Sequence, residues 1–264
     1  MNNIAEHYIP VNKDHYLTAQ HWERYLFALS LLKPGMKVLD IACGIGYGTE
    51  IIRQYGCDVT GVDYDKDLIE ESRSIWKYDG FVNADALDLP FEDSSFDAIV
   101  SYETIEHVND GDRYLSELRR VLRSSGIIIC STPNIKYASH PPFHLKEYGV
   151  DEFFYLIGKK FSEIQCYAQY FRITDRISDI AQWYMIPFIG SIMNKLGIKD
   201  AIMSLLGRRP TDHKTMQSIN GAKGSTIIEQ LKGEEGKSYY EVRPFKGPRM
   251  LRVMVAVARK KDMS

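Results

Sequence analysis

Short apolar runs alternate along this chain with segments of helical spacing, and this alternation limits the possible folds more than any other feature. The runs "MKVLDIA", "FDAIVSY" and "GIIICST" are apolar almost throughout rather than at every second position. Such runs are typical of parallel strands that helices cover on both faces. Residues 112–123, in contrast, carry apolar side chains three and four positions apart, which predicts a helix. The alternation therefore predicts an α/β fold with a doubly wound sheet.

Net charge and cysteine spacing exclude several classes of function. The 264 residues carry a formal net charge of −2, so no overall basic field would attract nucleic acid, and no such partner is expected. The four cysteines are scattered without a C-x-x-C pair, which disfavours a zinc or disulfide framework and fits a reducing cytoplasm. No apolar run reaches the roughly 18 residues that span a bilayer, and the first residues lack the pattern of a secretory signal. The sequence therefore predicts a cytoplasmic protein without a transmembrane segment.

A glycine-rich turn follows the first predicted strand. Gly44 and Gly46 in "CGIGYG" allow a tight turn and let a ligand approach the backbone at a helix N-terminus. Asp40, at the end of that strand, would repel a pyrophosphate, but it suits a ligand with an ammonium or sulfonium group. The G-x-G-x-G spacing also differs from the G-x-G-x-x-G of a dehydrogenase. The turn thus favours a nucleotide-like ligand that carries a positive charge.

Two further carboxylates follow the next predicted strands. Asp63 ends the second strand about 20 residues after the glycines, where a carboxylate can accept from both ribose hydroxyls. Asp85 follows the third strand and can accept from an adenine amino group. Each aspartate could instead only cap the helix that follows it. Together with the glycine turn, the three acidic strand ends predict a site for one adenosine-containing cofactor.

The order of these motifs resembles that of the class I S-adenosylmethionine-dependent methyltransferases, in particular the type 11 group. The resemblance is carried by "VLDIACGIGYGT", "VTGVDYD", "NADALDLPFEDSSFDAIVSYETIEHV" and "LRRVLRSSGIIICSTPN", and it extends over residues 20–170 approximately. It implies a Rossmann-like doubly wound sheet of seven strands whose last strand is antiparallel. It also implies S-adenosyl-L-methionine as the cofactor.

The resemblance implies roles for individual residues as well. The segment from Asp40 to Gly46 would hold the methionine end of the cofactor, Asp63 the ribose, and Tyr64 one face of the adenine. Arg24, in the N-terminal helix, would pair with the methionine carboxylate, although a surface position is an equal alternative. The full set of implied cofactor-binding residues is Arg24, Asp40, Ala42, Cys43, Gly44, Gly46, Asp63, Tyr64, Asp85, Ala86 and Glu103.

The stretch "SYETIEHV" places three polar groups after the fourth predicted strand, where the fold would face the transferable methyl. Glu103, Glu106 and His107 have the i, i+3, i+4 spacing of one helical face. The Glu-x-x-Glu-His pattern resembles ubiquinone-pathway O-methyltransferases and small-RNA 2′-O-methyltransferases, which implies His144 in "FHLKEY" as a fourth ligand. One interpretation is a divalent cation, Mg or Mn, held by Glu103, Glu106, His107 and His144. The others are a histidine base without metal, His107 or His144, and purely structural roles.

The chain divides as follows under this resemblance. Residues 1–264 would form a single methyltransferase domain, with an N-terminal helix at 14–34 that covers the cofactor and a cofactor-binding core at 36–172. Residues 175–240 would be a helical insertion and a mobile connection, and 250–261 the final strand. The apolar insertion before the last strand could be a lid over the acceptor, a homodimer contact or a peripheral membrane helix.

Three further segments bear on the acceptor. "HWERYLFA", "SYETIEHV" and "PFHLKEY" most resemble methyltransferases of bacterial surface-glycan clusters. That resemblance implies O-methylation of a sugar hydroxyl in a glycan or nucleotide-sugar pathway. The alternatives are a phenolic small molecule or quinone precursor as acceptor, and a cofactor-binding member without catalysis.

Overall fold

The structure is a computed structural model that describes residues 16–136, 142–170, 242–244 and 251–260. The insertion and connection predicted at 175–240 lie outside these residues. The elements in chain order are α1 (Tyr16–Leu29), β1 (Lys37–Ile41), α2 (Tyr47–Gln54), β2 (Asp58–Asp63), α3 (Lys66–Trp76), β3 (Phe81–Asn83), β4 (Phe96–Tyr102), a 3₁₀ turn (Ile105–His107), α4 (Gly111–Val121), β5 (Leu122–Pro133), α5 (Val150–Lys160), β6 (Phe161–Tyr170), β7 (Val242–Pro244) and β8 (Leu251–Lys260).

The described strands form one mixed sheet in the order β3-β2-β1-β4-β5-β8-β6-β7. The first five strands in this order are parallel to one another, whereas β8 is antiparallel to both β5 and β6. The predicted doubly wound sheet with an antiparallel last strand is therefore confirmed. The described residues add one strand to the seven predicted, because the short β7 pairs with the outer edge of β6.

Apolar side chains cover both faces of the parallel strands. In β1, Leu39 and Ile41 belong to a core shared with α4 and α5, while Val38 belongs to a second core shared with α1 and α2. All three are almost completely buried. Burial on both faces explains why these strands are continuously apolar in sequence.

One boundary differs from the helical pattern at 112–123. Helix α4 ends at Val121, and Leu122 already pairs with Phe96 of β4 as the first residue of β5. The register then shifts before Ala98 pairs with Ile127. The apolar spacing continues past the end of the helix because Leu122 is buried in the sheet rather than on the helix face.

The parallel arrangement brings the carboxyl ends of β1, β2, β3 and β4 to one edge of the sheet. Ligands of open α/β sheets bind beyond that edge. The segments that follow these strands contain the glycine turn, Asp63, Asp85 and the stretch from Glu103 to His107. Within the part of the chain that the structure describes, no helix combines the length and apolar character needed to cross a membrane.

Helix α1 packs directly against the first turn of α2. A Cβ added to Gly48 would overlap the ring of Tyr25, so glycine permits this close approach. Tyr25 also makes edge-to-face contacts with Tyr47 and Tyr102, at ring-centroid distances of 5.4 and 5.2 Å. The position of α1 over the sheet edge thus depends on the absence of a side chain at residue 48.

We expect Gly48→Ala to destabilise the protein by about 1–3 kcal/mol, because the added methyl overpacks the contact with Tyr25. Urea denaturation of the variant and of wild type measures the change. Gly149→Ala is the matched control, since a Cβ there meets nothing closer than 4.0 Å. Equal stability of Gly48→Ala and wild type would contradict the close packing of α1.

Candidate active site

A cavity of about 710 Å³ opens at the carboxyl edge of the parallel strands. Its wall combines the segments after β1, β2, β3 and β4 with side chains of α1 and the segment before α5. Nine residues predicted as site residues line it: Ala42, Cys43, Gly44, Asp63, Tyr64, Asp85, Ala86, Glu103 and His107. The sequence prediction and the cavity therefore coincide over most of the set.

The glycine turn is held open toward this cavity. Gly44 has a φ of 54°, and a Cβ added there would meet nothing within 4 Å. The Gly44 N–H donates to Asp63 Oδ2 at 2.8 Å, and the Asp65 N–H donates to Asp63 Oδ1 at 3.0 Å. These two bonds orient the Asp63 carboxylate against the turn. Gly46 lies behind the wall instead, because a Cβ there would overlap the ring of Phe81.

At the far end of the cavity, Tyr64 is 80% exposed and Asp85 begins a tight turn. The Leu87 N–H donates to Asp85 Oδ1 at 2.8 Å. The Asn83 side-chain amide donates to the Tyr64 carbonyl at 2.7 Å. An aromatic face and an oriented carboxylate are therefore presented side by side.

Asp40 does not line the cavity, in contrast to the prediction that it holds a ligand directly. It is fully buried and accepts hydrogen bonds from Thr49 Oγ1 at 2.7 Å and from the Tyr25 hydroxyl at 3.1 Å. Burial raises the pKa of Asp40 from 3.8 to about 7. The hydrogen bonds from Thr49 and Tyr25 partly offset the effect of burial, and the charge of Asp63 adds a smaller increase. Asp40 is connected to the cavity through Tyr25, which does line it.

The stretch from Glu103 to His107 is not a single helical face. Glu103 has a φ of 51° and precedes the 3₁₀ turn, which begins at Ile105. Its carboxylate lines the cavity and accepts from Ser131 Oγ at 3.3 Å. Glu106 is buried behind the wall, where Thr132 Oγ1 donates to its Oε2 at 2.9 Å. Because the backbone of Glu103 is left-handed and lies before the 3₁₀ turn, the side chains of Glu103 and Glu106 are on different sides of the cavity wall.

Glu106, His107 and His144 converge at the cavity wall, where His107 alone of the three lines the described cavity. One ligand atom from each lies within 4.8 Å of the other two, and Glu103 is not part of this group. Only three of the four residues predicted to bind a cation therefore lie together. Glu106 Oε1 is buried without a hydrogen-bond partner among the described residues. Burial, and then the charge of Glu103, raise the pKa of Glu106 well above its usual value.

The two imidazoles of this group are held through the same ring nitrogen. His107 Nδ1 lies 3.3 Å from the Phe143 carbonyl, and His144 Nδ1 lies 3.3 Å from Glu147 Oε1. Both oxygens are acceptors, so each Nδ1 carries the proton and each Nε2 is the basic nitrogen. His107 lines the cavity, whereas His144 packs edge-on against it with the ring centroids 4.8 Å apart.

Residues 39–130 match the family described as Methyltransferase domain. Over 122 residues the chain is 37% identical to a probable S-adenosylmethionine-dependent methyltransferase of Mycobacterium tuberculosis (strain CDC 1551 / Oshkosh). This alignment covers 44% of the chain and 44% of the relative. Over 124 residues it is 30% identical to the demethylmenaquinone methyltransferase of Renibacterium salmoninarum, covering 47% of this chain and 50% of the relative. The chain therefore spans about half the length of these curated relatives.

Solved structures extend the likeness beyond the matched segment. A possible histamine N-methyltransferase of Thermotoga maritima, a SAM-dependent methyltransferase, shares the fold with a TM-score of 0.56, 17% identity and 93% coverage of both chains. Residues 39–130 thus form a methyltransferase domain of the S-adenosylmethionine-dependent type. A protein of Pyrococcus horikoshii is 25% identical, with a TM-score of 0.50, over 58% of this chain and 84% of its own.

The described residues of this methyltransferase domain fit S-adenosylmethionine. The turn at Gly44 leaves room for a ligand against the backbone, and the oriented Asp63 carboxylate suits a ribose diol. The exposed ring of Tyr64 and the carboxylate of Asp85, which line the same cavity, are groups that suit an adenine.

Arg24 does not reach the site, contrary to the prediction that it pairs with the methionine carboxylate. Its side chain is buried, and its Nη1 donates to Gln169 Oε1 of β6 at 2.8 Å. Its carbonyl accepts from the Tyr102 hydroxyl at 2.7 Å, and its guanidinium lies 5.9 Å from the centre of the Tyr102 ring. Arg24 points across the sheet because β6 places an amide acceptor beneath that face of α1.

The cavity-lining residues that were not predicted from the sequence include four ring side chains: His21, Tyr25, Tyr47 and Tyr102. The i, i+4 spacing of His21 and Tyr25 was the available signal, because it places both on one face of the helix before the glycine turn. The sequence prediction chose Arg24, which lies between His21 and Tyr25, because of its positive charge.

We expect Asp40→Asn to change the pH dependence of stability. The pKa of Asp40 is about 7 when folded, against a usual 3.8, so the folded state binds more protons than the unfolded state between these values. The Asp40 contribution to the free energy of unfolding therefore falls as pH rises from about 4 to about 7. Urea denaturation without cofactor at pH 5 and pH 8 should show the variant gaining stability relative to wild type at the higher pH. Parallel pH profiles for the two proteins would contradict the raised pKa.

Proposed function

We propose that this chain transfers the methyl of S-adenosylmethionine to a hydroxyl oxygen of an acceptor that binds beside His107. We further propose that the hydroxyl belongs to a sugar of a glycan or nucleotide-sugar pathway. The observation that carries the proposal is the presence, in one cavity wall, of the cofactor-holding strand ends and an imidazole whose basic nitrogen is Nε2. The acceptor is a small molecule or glycan in this proposal.

The cofactor, when bound, supplies an electrophilic methyl on a positively charged sulfonium. Asp63 orients the nucleoside by accepting from the ribose hydroxyls, and the glycine turn accepts the amino-acid end against its backbone. His107 Nε2 accepts the proton of the acceptor hydroxyl while the oxygen forms its bond to the methyl carbon. On transfer, the carbon–sulfur bond would break with its electron pair on sulfur, a neutral thioether would leave, and the proton would remain on His107.

The presence of a base beside the proposed methyl position bears on how acidic the acceptor hydroxyl is. A phenol ionises near pH 10, as tyrosine does, and needs little help, whereas a sugar hydroxyl is a far weaker acid. An imidazole with its proton fixed on Nδ1 supplies that help near neutral pH. This reasoning supports a sugar hydroxyl over a phenol. The names of several relatives favour the alternative, a quinone precursor, since one is a 2-methyl-6-phytyl-1,4-hydroquinone methyltransferase of Synechocystis.

A labelled-methyl transfer assay tests the function. Purified protein with S-adenosylmethionine carrying a labelled methyl is incubated with nucleotide sugars, glycans, catechols and quinone precursors. We expect label on a sugar-containing acceptor. Label on phenols alone would replace the proposed acceptor class with the alternative, and cofactor binding without transfer to any member would indicate a domain without catalysis.

The assay also tests His107. We expect His107→Gln to lower kcat by about 10²–10⁴-fold, because general-base catalysis contributes that much. The Kd of S-adenosylhomocysteine should change little, since Asp63 and the glycine turn hold the nucleoside. Unchanged kcat would remove His107 as the base.

A divalent cation, Mg or Mn, is a second candidate for activation of the hydroxyl. Glu106 Oε1 lacks a partner among the described residues, and it lies close to two imidazoles whose basic nitrogen is Nε2. Glu106, His107 and His144 would hold the cation, and its chemistry there would be to lower the pKa of a nearby hydroxyl. The carboxylate and imidazole donors suit Mn²⁺ better than Mg²⁺, which prefers oxygen ligands.

Elemental analysis and chelation separate the two candidates. If a cation is used, Mn²⁺ titrated into metal-free protein should bind with a stoichiometry near one, and His144→Gln should lower activity as much as His107→Gln. Full activity in excess chelator, with His144→Gln close to wild type, would exclude the cation and leave His107 as the base.

A further inference from the structure

The methionine carboxylate of the cofactor is an anion, and the predicted residues that line the described cavity supply no cationic side chain for it except His107. The transfer of an anion from water into a site that offers no hydrogen-bond or charge partner costs several kcal/mol. Asp63, Asp65, Asp85 and Glu103 already make the described cavity wall acidic. Among the described residues that line the cavity, none is lysine or arginine, and Arg24 is engaged with Gln169 outside it.

Two imidazoles line the described cavity, and they lie on different elements. His107 follows β4 and stacks on Phe143 with ring centroids 5.6 Å apart, beside the segment assigned to the acceptor. His21 belongs to α1, and its ring centroid lies 6.5 Å from that of Tyr47. Tyr47 is the first residue of α2, directly after the glycine turn.

A chain of contacts fixes His21 at the amino-acid end of the cavity. Tyr47 contacts Tyr25 edge-on, and the Tyr25 hydroxyl donates to the buried Asp40 beneath the turn. The ribose and adenine positions are marked by Asp63 and Asp85, which follow β2 and β3 on the other side of β1 from β4. His21 therefore lies close to the turn that receives the methionine moiety.

We infer that His21 is the side chain that binds the methionine carboxylate, in place of Arg24. An imidazole N–H of His21 donates to a carboxylate oxygen, and protonation of the ring would add a charge-assisted component. This inference rests on the proposed binding of S-adenosylmethionine in the cavity. It assigns cofactor binding to the same face of α1 that Tyr25 fixes against Gly48.

Two ligands that differ only in the carboxylate test the inference. S-adenosylmethionine and decarboxylated S-adenosylmethionine are titrated by calorimetry into wild type and His21→Ala. We expect His21→Ala to raise the Kd of S-adenosylmethionine by about 10-fold or more, because a hydrogen bond to a charged group is lost. The Kd of the decarboxylated ligand should change less than about 2-fold.

Three further variants complete the design. His21→Phe keeps a ring beside Tyr47 but lacks the N–H, so it should reproduce the selective loss if His21→Ala folds poorly. His21→Arg should restore most of the preference for the carboxylated ligand. Ser30→Ala, at the exposed end of α1 and outside the cavity, should leave both affinities unchanged.

The outcomes separate the inference from the proposed function. Equal losses for both ligands in His21→Ala and His21→Phe, or no loss for either, would overturn the role of His21 while cofactor binding by wild type stands. Failure of wild type to bind S-adenosylmethionine at all would overturn the proposed function itself.

Discussion

The buried carboxyl of Asp40 is the interaction on which the rest of the site depends. It belongs to β1, yet its two hydrogen-bond donors come from α1 and α2. A buried carboxyl that lost these donors would be costly, so the three elements keep one arrangement. That arrangement positions Tyr25 in the cavity wall and brings α1 against Gly48. Asp40 thus shapes the cofactor site from behind the wall.

The sheet and most of the cofactor wall could be predicted from the sequence because both depend on local patterns. Continuous apolar runs reflect strands buried on two faces, and Gly44 and Asp63 directly follow such runs. Parallel strands end at one edge, so residues after them meet without further information. Glu103 and His107 reached the cavity for the same reason.

The remaining errors concern contacts between elements that are distant in sequence. Arg24 is drawn to Gln169, 145 positions away, and nothing near Arg24 in sequence signals that acceptor. Glu103 and Glu106 share a helical spacing, but the left-handed backbone at Glu103 directs them to different sides of the wall. His144 lies beside His107 in a segment that is tied to the 3₁₀ turn, where the Glu106 carbonyl accepts from the Leu145 and Lys146 N–H groups at 2.8 and 3.1 Å.

The place of β8 in the sheet has a consequence for how the chain is assembled. Strand β6 pairs with β8 and β7 among the described strands, and both come from residues after 241. The parallel half, from β3 to β5, is complete once residue 133 has been synthesised. Without those later residues, β6 has no strand partner among the described strands, and Gln169 is not held in the sheet. The buried contact between Arg24 and Gln169, which holds α1 over β6, therefore depends on residues 251–260, far from both in sequence.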